Sequence, residues 1–131
     1  ALRVWLSSEK LINNGWLAAM SDNALSKAML KIHQNPGKIW TVELLAKEAC
    51  MSRTTFSERF KQIVGETPLN YLTKWRMDLA KSKLLHTKES ILEIALGLGY
   101  QSEAAFSRAY KKVMSEAPSH TRKLRLDDRS Q

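Results

Sequence analysis

The sequence predicts an all-α protein with two helix-turn-helix subdomains joined by a long linker helix, about seven helices in total. Three observations predict this fold class. Apolar residues recur at helical spacing, no segment shows the alternation of a half-buried strand, and residues 52–68 recur as residues 102–118. Only 5 glycines and 3 prolines interrupt the chain, and each proline stands where a helix is expected to begin or end.

The first long helix is expected to begin after Asp22 and Asn23, either of which can cap its N-terminus, and to reach about His33. The Asn-Pro-Gly sequence at 35–37 ends it, because proline and glycine do not continue a helix. This helix precedes the first of the two repeated segments.

The first helix-turn-helix is expected at about residues 41–65. Thr41 caps a short helix, the chain turns at residues 49–51, and Ser52 caps a longer helix that ends at Gly65. The apolar residues of the longer helix lie on one side at a spacing of about 3.6 residues, which predicts one buried face and one exposed face.

The longest helix is expected over residues 67–86. Thr67 is a good N-cap, and Pro68 is tolerated at the first helical position, where no backbone donor is needed. The second helix-turn-helix follows at about residues 90–114, and Pro118 begins a last short helix. The linker helix therefore connects two units of the same layout.

The internal repeat is the strongest signal in the sequence. A shift of 50 residues brings residues 52–68 onto 102–118 with six identities, and a shift of 49 aligns the short helices that precede them. Each copy therefore contains a short helix, a tight turn and a longer capped helix, which is the layout of a helix-turn-helix. The identical pairs are Ser52 and Ser102, Phe56 and Phe106, Ser57 and Ser107, Lys61 and Lys111, Glu66 and Glu116, and Pro68 and Pro118.

Composition narrows the classes of function. Lys and Arg number 21 against 13 Asp and Glu, so the net charge of +8 favours a polyanionic partner. The chain has no apolar run of the ~18 residues that a membrane helix needs, and its single Cys50 cannot form an internal disulfide, which suits a reducing cytoplasm. The three histidines lie far apart without metal-ligand spacing, and no phosphate-binding glycine loop is present, so we expect no metal and no cofactor.

Taken together, these residues resemble the AraC/XylS family of bacterial transcription regulators, over roughly residues 21–125. The resemblance is carried by residues 41–61 with Gly65, Pro68 and Tyr71-Leu72, by Arg76-Met77, Ala80 and Leu84-Leu85, and by Ile91–Ala95, Gly99-Tyr100, Ser102, Phe106–Lys111, Pro118 and Arg122. Residues 1–20 resemble the approach to this domain in longer members, so we expect a linker remnant there, and we expect residues 126–131 to form a charged tail.

The resemblance implies sequence-specific binding of double-stranded DNA by a bacterial transcription regulator, an activator by analogy. Two recognition helices, at about 52–64 and 102–114, would enter successive major grooves. The linker helix would span about 30 Å, close to the ~34 Å of one DNA turn, so we expect the domain to bind an asymmetric site as a monomer. The resemblance further implies RNA polymerase as a partner. It implies a small-molecule effector that acts only through an N-terminal sensor domain missing from this chain.

The exposed stripes of the two recognition helices supply the candidate contacts. Candidates for reading bases are Arg53, Thr54, Ser57, Glu58, Glu103, Ala104, Ser107 and Arg108. Candidates for holding phosphates are Ser52, Lys61, Ser102, Lys111, Lys112 and Arg122. An arginine can donate to the O6 and N7 atoms of guanine, whereas a glutamate can accept from the amino group of cytosine.

Four positions depart from the family pattern. Glu58 stands where an arginine is common, and Cys50 replaces the turn glycine that Gly99 preserves, so we expect the first turn to be slightly reshaped. Ser115 stands where glycine is usual, and Thr121 where tyrosine is usual.

Several alternatives remain open from the sequence. Glu58 either contacts DNA or lies exposed or in an internal salt bridge, and Lys81, Lys83 and Lys88 fit a solvated helix face better than a DNA-binding stripe. For the whole chain, the alternatives are a helical module that binds other proteins and an enzyme. The paired repeat and the polar stripes favour DNA, and no residues have the arrangement of a nucleophile with its base.

Overall fold

The computed structural model describes residues 18–130, with side chains through residue 124. Two compact units divide it: the first contains the residues through 35 together with residues 40–72, and the second contains residues 36–39 and the residues from 73 onward. The described residues form helices and no strands, which confirms the all-α prediction. The helices are α1 (Asn23–Gln34), α2 (Val42–Glu48), α3 (Arg53–Val64), α4 (Pro68–His86), α5 (Ile91–Gly97), α6 (Glu103–Met114) and α7 (Pro118–Ser130), after a helical turn at 18–20.

Side-chain caps begin the helices of the first unit where the sequence predicts them. The Asp22 carboxylate accepts from the backbone N–H groups of Ala24 and Leu25, each at 3.0 Å. The Thr41 and Ser52 side chains likewise accept at the starts of α2 and α3. Each cap satisfies donors that the helix itself leaves unpaired.

The core of the first unit is built on the apolar faces of its helices. Phe56 and Phe60 are fully buried with ring centroids 5.7 Å apart, and Phe60 meets the ring of Tyr71 edge-on at 6.0 Å. This packing fixes the buried side of α3, so its opposite side faces solvent. The other buried apolar residues of this unit are Ala19, Leu25, Ala28, Met29, Ile32, Trp40, Leu45, Ala46, Ala49 and Leu72.

The second unit repeats this construction. A capping box at Ser90 and Glu93 begins α5, and Ser102 caps α6 through the backbone N–H of Ala105. Phe106 and Tyr110 are fully buried, with centroids 5.7 Å apart, as are the corresponding rings in α3. The core also contains Met77, Ala80, Leu84, Ile94, Ala95 and Leu98.

The turn at Cys50 keeps the hydrogen bond of its counterpart but has a smaller φ. The backbone N–H of Cys50, with φ 57°, donates to the carbonyl oxygen of Lys47, and that of Gly99, with φ 91°, donates to the carbonyl oxygen of Leu96. The difference in φ agrees with the slightly reshaped turn that the sequence predicts, and Cys50 adopts a left-handed conformation that glycine tolerates better. The expectation of a charged tail at 126–131 was wrong in part, because α7 continues to Ser130. No glycine or proline follows Pro118 to end that helix.

Candidate nucleic-acid interface

The exposed face of α3 carries the residues predicted to read bases in the first unit. Arg53, Thr54 and Glu58 are exposed and Ser57 is half-buried, while Phe56 and Phe60 hold the opposite face in the core. Lys61, the predicted phosphate contact, is exposed on the same helix. The structure therefore presents a polar stripe about two turns long on a helix whose orientation within its unit is fixed by aromatic packing.

The exposed face of α6 is the counterpart in the second unit. Glu103, Ala104 and Arg108 are exposed, and Ser107 is half-buried like Ser57. Lys111 and Lys112 are exposed in the last turn. The two helices thus present equivalent exposed positions with different side chains.

Ser52 and Ser102 have a structural task at the starts of these helices. Their hydroxyl oxygens accept from the backbone N–H groups of Thr55 and Ala105, at 3.2 and 3.1 Å. Each hydroxyl hydrogen remains available to donate outward, and both residues are exposed. Capping and a phosphate contact are therefore compatible for both serines.

Arg122, another predicted phosphate contact, also has a structural role. Its guanidinium donates to the backbone carbonyl oxygens of Lys83, Leu84, Thr87 and Glu89. These carbonyls belong to the last turn of α4 and to the segment that leads into α5, where a cation is favourable. Arg122 therefore stabilises the end of the linker helix, and its donors are taken up by these carbonyl groups rather than left for phosphate.

Glu58 is exposed and takes part in no ion pair among the residues that the structure describes. The geometry therefore does not favour an internal salt bridge for this carboxylate. Lys83 forms an exposed ion pair with Glu89 at 3.6 Å, as the interpretation of a solvated helix face predicts.

Arg59 anchors α3 to α1, a role that the sequence does not indicate. The Nε and Nη2 atoms of Arg59 lie 2.6 and 2.5 Å from the second carboxylate oxygen of Asp22, the oxygen that does not cap α1. These contacts hold the pKa of Asp22 below its usual value: the backbone hydrogen bond from Leu25 contributes most, burial opposes it, and Arg59 adds to it. The pairing spans 37 residues, so no local sequence pattern indicates it.

Arg76 supports the turn between α5 and α6 in the second unit. It donates to the carbonyl oxygens of Pro36 and Lys38, at 2.6 and 2.8 Å, and its guanidinium lies 5.8 Å from the centre of the Tyr100 ring. Tyr100 packs edge-on against Phe106 of α6 at 5.7 Å. Burial raises the pKa of Tyr100, so the ring stays neutral beside this cation. The contacts place Arg76 behind the recognition helix rather than on its exposed face.

The described residues contain no group of His, Cys, Asp and Glu side chains that could hold a metal ion. None of the described helices is both long enough and apolar enough to cross a membrane.

Comparison with known proteins identifies the family to which this chain is similar. The profile of the family described as helix-turn-helix domain matches residues 45–124. An AraC-like transcription regulator of Streptomyces lividans is 40% identical over 122 residues, which are 93% of this chain and 40% of the relative. The regulator AlkR of Acinetobacter baylyi is 46% identical over 107 residues, 82% of this chain and 35% of its own length.

Solved structures agree with these sequence relatives. An AraC-type regulator structure from Chromobacterium violaceum superposes with a TM-score of 0.75 at 28% identity and covers 82% of this chain and 96% of its own. The DNA-binding domain of AdpA in complex with a target DNA superposes with a TM-score of 0.74 at 27% identity, with the same coverage.

The fold and the exposed helices define a helix-turn-helix DNA-binding domain of a transcription regulator, and the relatives are regulators rather than enzymes. The chain belongs to the AraC/XylS family. It spans about two fifths of the length of the curated relatives that it matches.

Proposed function

We propose that this chain reads a specific sequence of double-stranded DNA with α3 and α6 placed in successive major grooves. The observation that carries the proposal is the repeated arrangement of the recognition helices. Each is capped by a serine, held by two buried aromatic rings and left with a polar face in solvent. An α-helix fits the major groove, where the four base pairs present distinct patterns of donors, acceptors and methyl groups.

The exposed polar faces of α3 and α6 read the bases in this proposal. Arg108 donates to guanine, Glu58 accepts from cytosine, and the methyl groups of Thr54 and Ala104 contact thymine. Arg53, Ser57, Glu103 and Ser107 complete the set of base-reading residues. Full or partial exposure of each of these side chains supports this assignment.

Phosphate binding sets the affinity and the register. The proposed contacts are Ser52, Lys61, Ser102, Lys111 and Lys112, all of them exposed. Each phosphate that is neutralised releases counterions, so affinity falls steeply as salt rises. The net charge of +8 is consistent with this electrostatic contribution.

The linker helix supports the proposal of two boxes in one binding site. α4 contains 19 residues, about 28 Å at ~1.5 Å per residue, and it runs from the first unit into the second. One turn of DNA measures ~34 Å, so we expect two short boxes whose centres lie ~10–10.5 base pairs apart. One domain then reads an asymmetric site as a monomer.

In the regulator, this domain acts in transcription activation in the cytoplasm, with RNA polymerase as its partner. A small-molecule effector acts through a domain outside this chain. The lengths of the relatives support the existence of such a domain, because the matched region is about two fifths of each.

The test is selection of a binding site from a random duplex library, followed by titration of the winner and of random duplex. We expect a selected site with two boxes, bound at least about 1,000-fold more tightly than random duplex. We also expect log K to fall by ~0.9 per neutralised phosphate against log salt. Binding without any enrichment, or no binding at low salt, would contradict sequence-specific recognition and favour a helical module that binds proteins.

A further inference from the structure

Arg53 occupies a position that helix stability alone does not favour. It is the first residue of α3, where the helix dipole is positive and cations are disfavoured, and the first turn of this helix contains no acidic residue. Its side chain is 67% exposed. An exposed arginine at the N-terminal end of a recognition helix therefore needs another explanation.

The partner of Arg53 lies on the other helix of the same helix-turn-helix. The Oε1 atom of Glu43, in the first turn of α2, lies 3.2 Å from Nη1 of Arg53, and the Glu43 side chain is 60% exposed. The contact of 3.2 Å is made by Nη1, and an arginine has further N–H donors on Nε and Nη2 that can bind a ligand.

The turn between α2 and α3 holds the two residues at this distance. Thr41 caps the helix that carries Glu43, and Ser52 caps the helix that carries Arg53. Between them, the backbone N–H of Met51 donates to Ala46 at 2.9 Å. The ion pair therefore joins two helix ends whose separation is set by local backbone hydrogen bonds.

The second unit has no equivalent of this pair. Leu92 corresponds to Glu43 and Glu103 to Arg53, so neither the acid on the first helix nor the cation on the second is repeated. The order of charges along the recognition helices is also reversed. Arg53 precedes Glu58 in α3, whereas Glu103 precedes Arg108 in α6.

From this arrangement we infer that Glu43 is a specificity-determining positioning residue that orients Arg53 toward the edge of a guanine. The inference rests on the proposed function, because it needs α3 in the major groove. A carboxylate on Nη1 removes rotamers of the long arginine side chain before DNA arrives and leaves a planar pair of donors for the O6 and N7 atoms. The Glu43 carboxylate also competes with DNA phosphates for the guanidinium, so Arg53 contacts the bases rather than the phosphate backbone.

The first unit then contacts a guanine through Arg53 as well as the cytosine proposed for Glu58. Arg53 supplies the guanine contact of α3 at its N-terminus, and Arg108 supplies that of α6 about one and a half turns into the helix. The two boxes then contain guanine at different positions relative to their helices. This difference fits a site without internal symmetry.

The experiment compares base preferences of the 131-residue chain and four variants on libraries that vary one box at a time. Glu43→Gln removes the charge of the acid and keeps its size. Arg53→Lys keeps the positive charge but removes the planar pair of guanidinium donors. The variant with both substitutions completes a double-mutant cycle, which measures the coupling between the two residues. Glu48→Gln is the matched control, because it removes one acidic charge from the same helix α2 without touching Arg53.

We expect Glu43→Gln to lower the guanine preference at one position of the first box by about two- to fivefold, as for the loss of an exposed ion pair. Affinity for random duplex should be unchanged or higher, because a negative charge is lost. Arg53→Lys should lower the guanine preference at the same position more strongly, by at least about fivefold. The double variant should match Arg53→Lys, and Glu48→Gln should leave every position unchanged.

Three results would overturn the inference. If Arg53→Lys lowers the base preference at one position and Glu43→Gln does not, Glu43 has no part in orienting the arginine, while the proposed function stands. If Arg53→Lys changes no position, Arg53 does not read a base and the inference fails with the function intact. If the parent chain shows no base preference in either box, the proposed function and the inference fail together.

Discussion

Replacing Cys50 by glycine should stabilise the protein, although cysteine is larger and less polar than the residue that replaces it. Cys50 has φ 57°, a left-handed conformation that costs a residue with a Cβ about 1–2 kcal/mol. Glycine removes this cost but loses more backbone entropy on folding, about 0.5–1 kcal/mol. Because Cys50 is exposed, little burial is lost, and the net gain should be about 0.5–1 kcal/mol.

The same reasoning predicts the change in stability at the other three residues with a positive φ in the described part of the chain. Ser115→Gly should also stabilise, because Ser115 is exposed and has φ 65°. Gly65→Ala should destabilise by strain alone, since its φ is 95° and a Cβ there meets nothing within 4 Å. Gly99→Ala should cost at least about 1 kcal/mol more, because its Cβ would lie 2.8 Å from the carbonyl oxygen of Gly37.

The assay is urea denaturation followed by circular dichroism at 222 nm, with thermal melting as a second measure. A gain of 1 kcal/mol should raise the melting temperature by about 3–5 °C for a chain of this size. Destabilisation by Cys50→Gly, or equal costs for Gly99→Ala and Gly65→Ala, would refute the reasoning from backbone conformation and close packing.

Three further predictions concern charge and recognition. Arg108→Ala should weaken binding to the selected site by about 1–3 kcal/mol and relax the preference at one or two bases, whereas an equal loss on random duplex would make Arg108 a phosphate contact. Glu58→Arg should raise affinity for random duplex in a gel-shift titration, because it changes the local charge by two units; unchanged binding would place residue 58 away from DNA. Burial lowers the pKa of His33 to about 4, so the folded state resists its protonation. Because the ring is only half-buried, solvent screens part of this effect, and stability should fall by about 1–2 kcal/mol as the pH drops from 6.5 toward 4. Chemical denaturation across this range should show the fall in the parent chain and a clearly smaller one in His33→Gln.

Local signals were enough to predict the helices and the repeat. The caps at Asp22, Thr41, Ser52, Ser90 and Ser102 all lie at the starts of observed helices. Each cap acts within three residues of itself, so the sequence contains all the information that it needs. The buried aromatic residues followed from helical periodicity for the same reason.

Contacts between distant segments could not be predicted in this way. The roles of Arg59, Arg76 and Arg122 depend on partners 37 or more residues away for the first two and 33 to 39 for the third. An exposed arginine that donates to phosphate and one that holds backbone carbonyls look the same in a sequence. Only the packing of the helices distinguishes them, so the sequence alone predicts a phosphate contact for Arg122, whereas the structure gives it backbone partners.

The length of α7 shows a second limit. A run of charged residues suggests a tail, but charge does not end a helix, and no glycine or proline follows Pro118 in the sequence. The sequence also does not predict that residues 36–39 belong to the second unit. Their place there depends on the close approach of Gly37 to Gly97 and Gly99, about 60 residues further along the chain.

The most direct test of two-helix reading is the spacing between the two boxes of the selected site. Inserting 5 base pairs between them turns one box through about half a helical turn, away from the face that the domain binds. We predict that affinity for this duplex falls at least about tenfold, toward that of a site with one box, while a duplex with 5 base pairs added outside the boxes binds as before. Near-native affinity for the inserted duplex would contradict the account, because it would mean that a single helix-turn-helix reads the sequence.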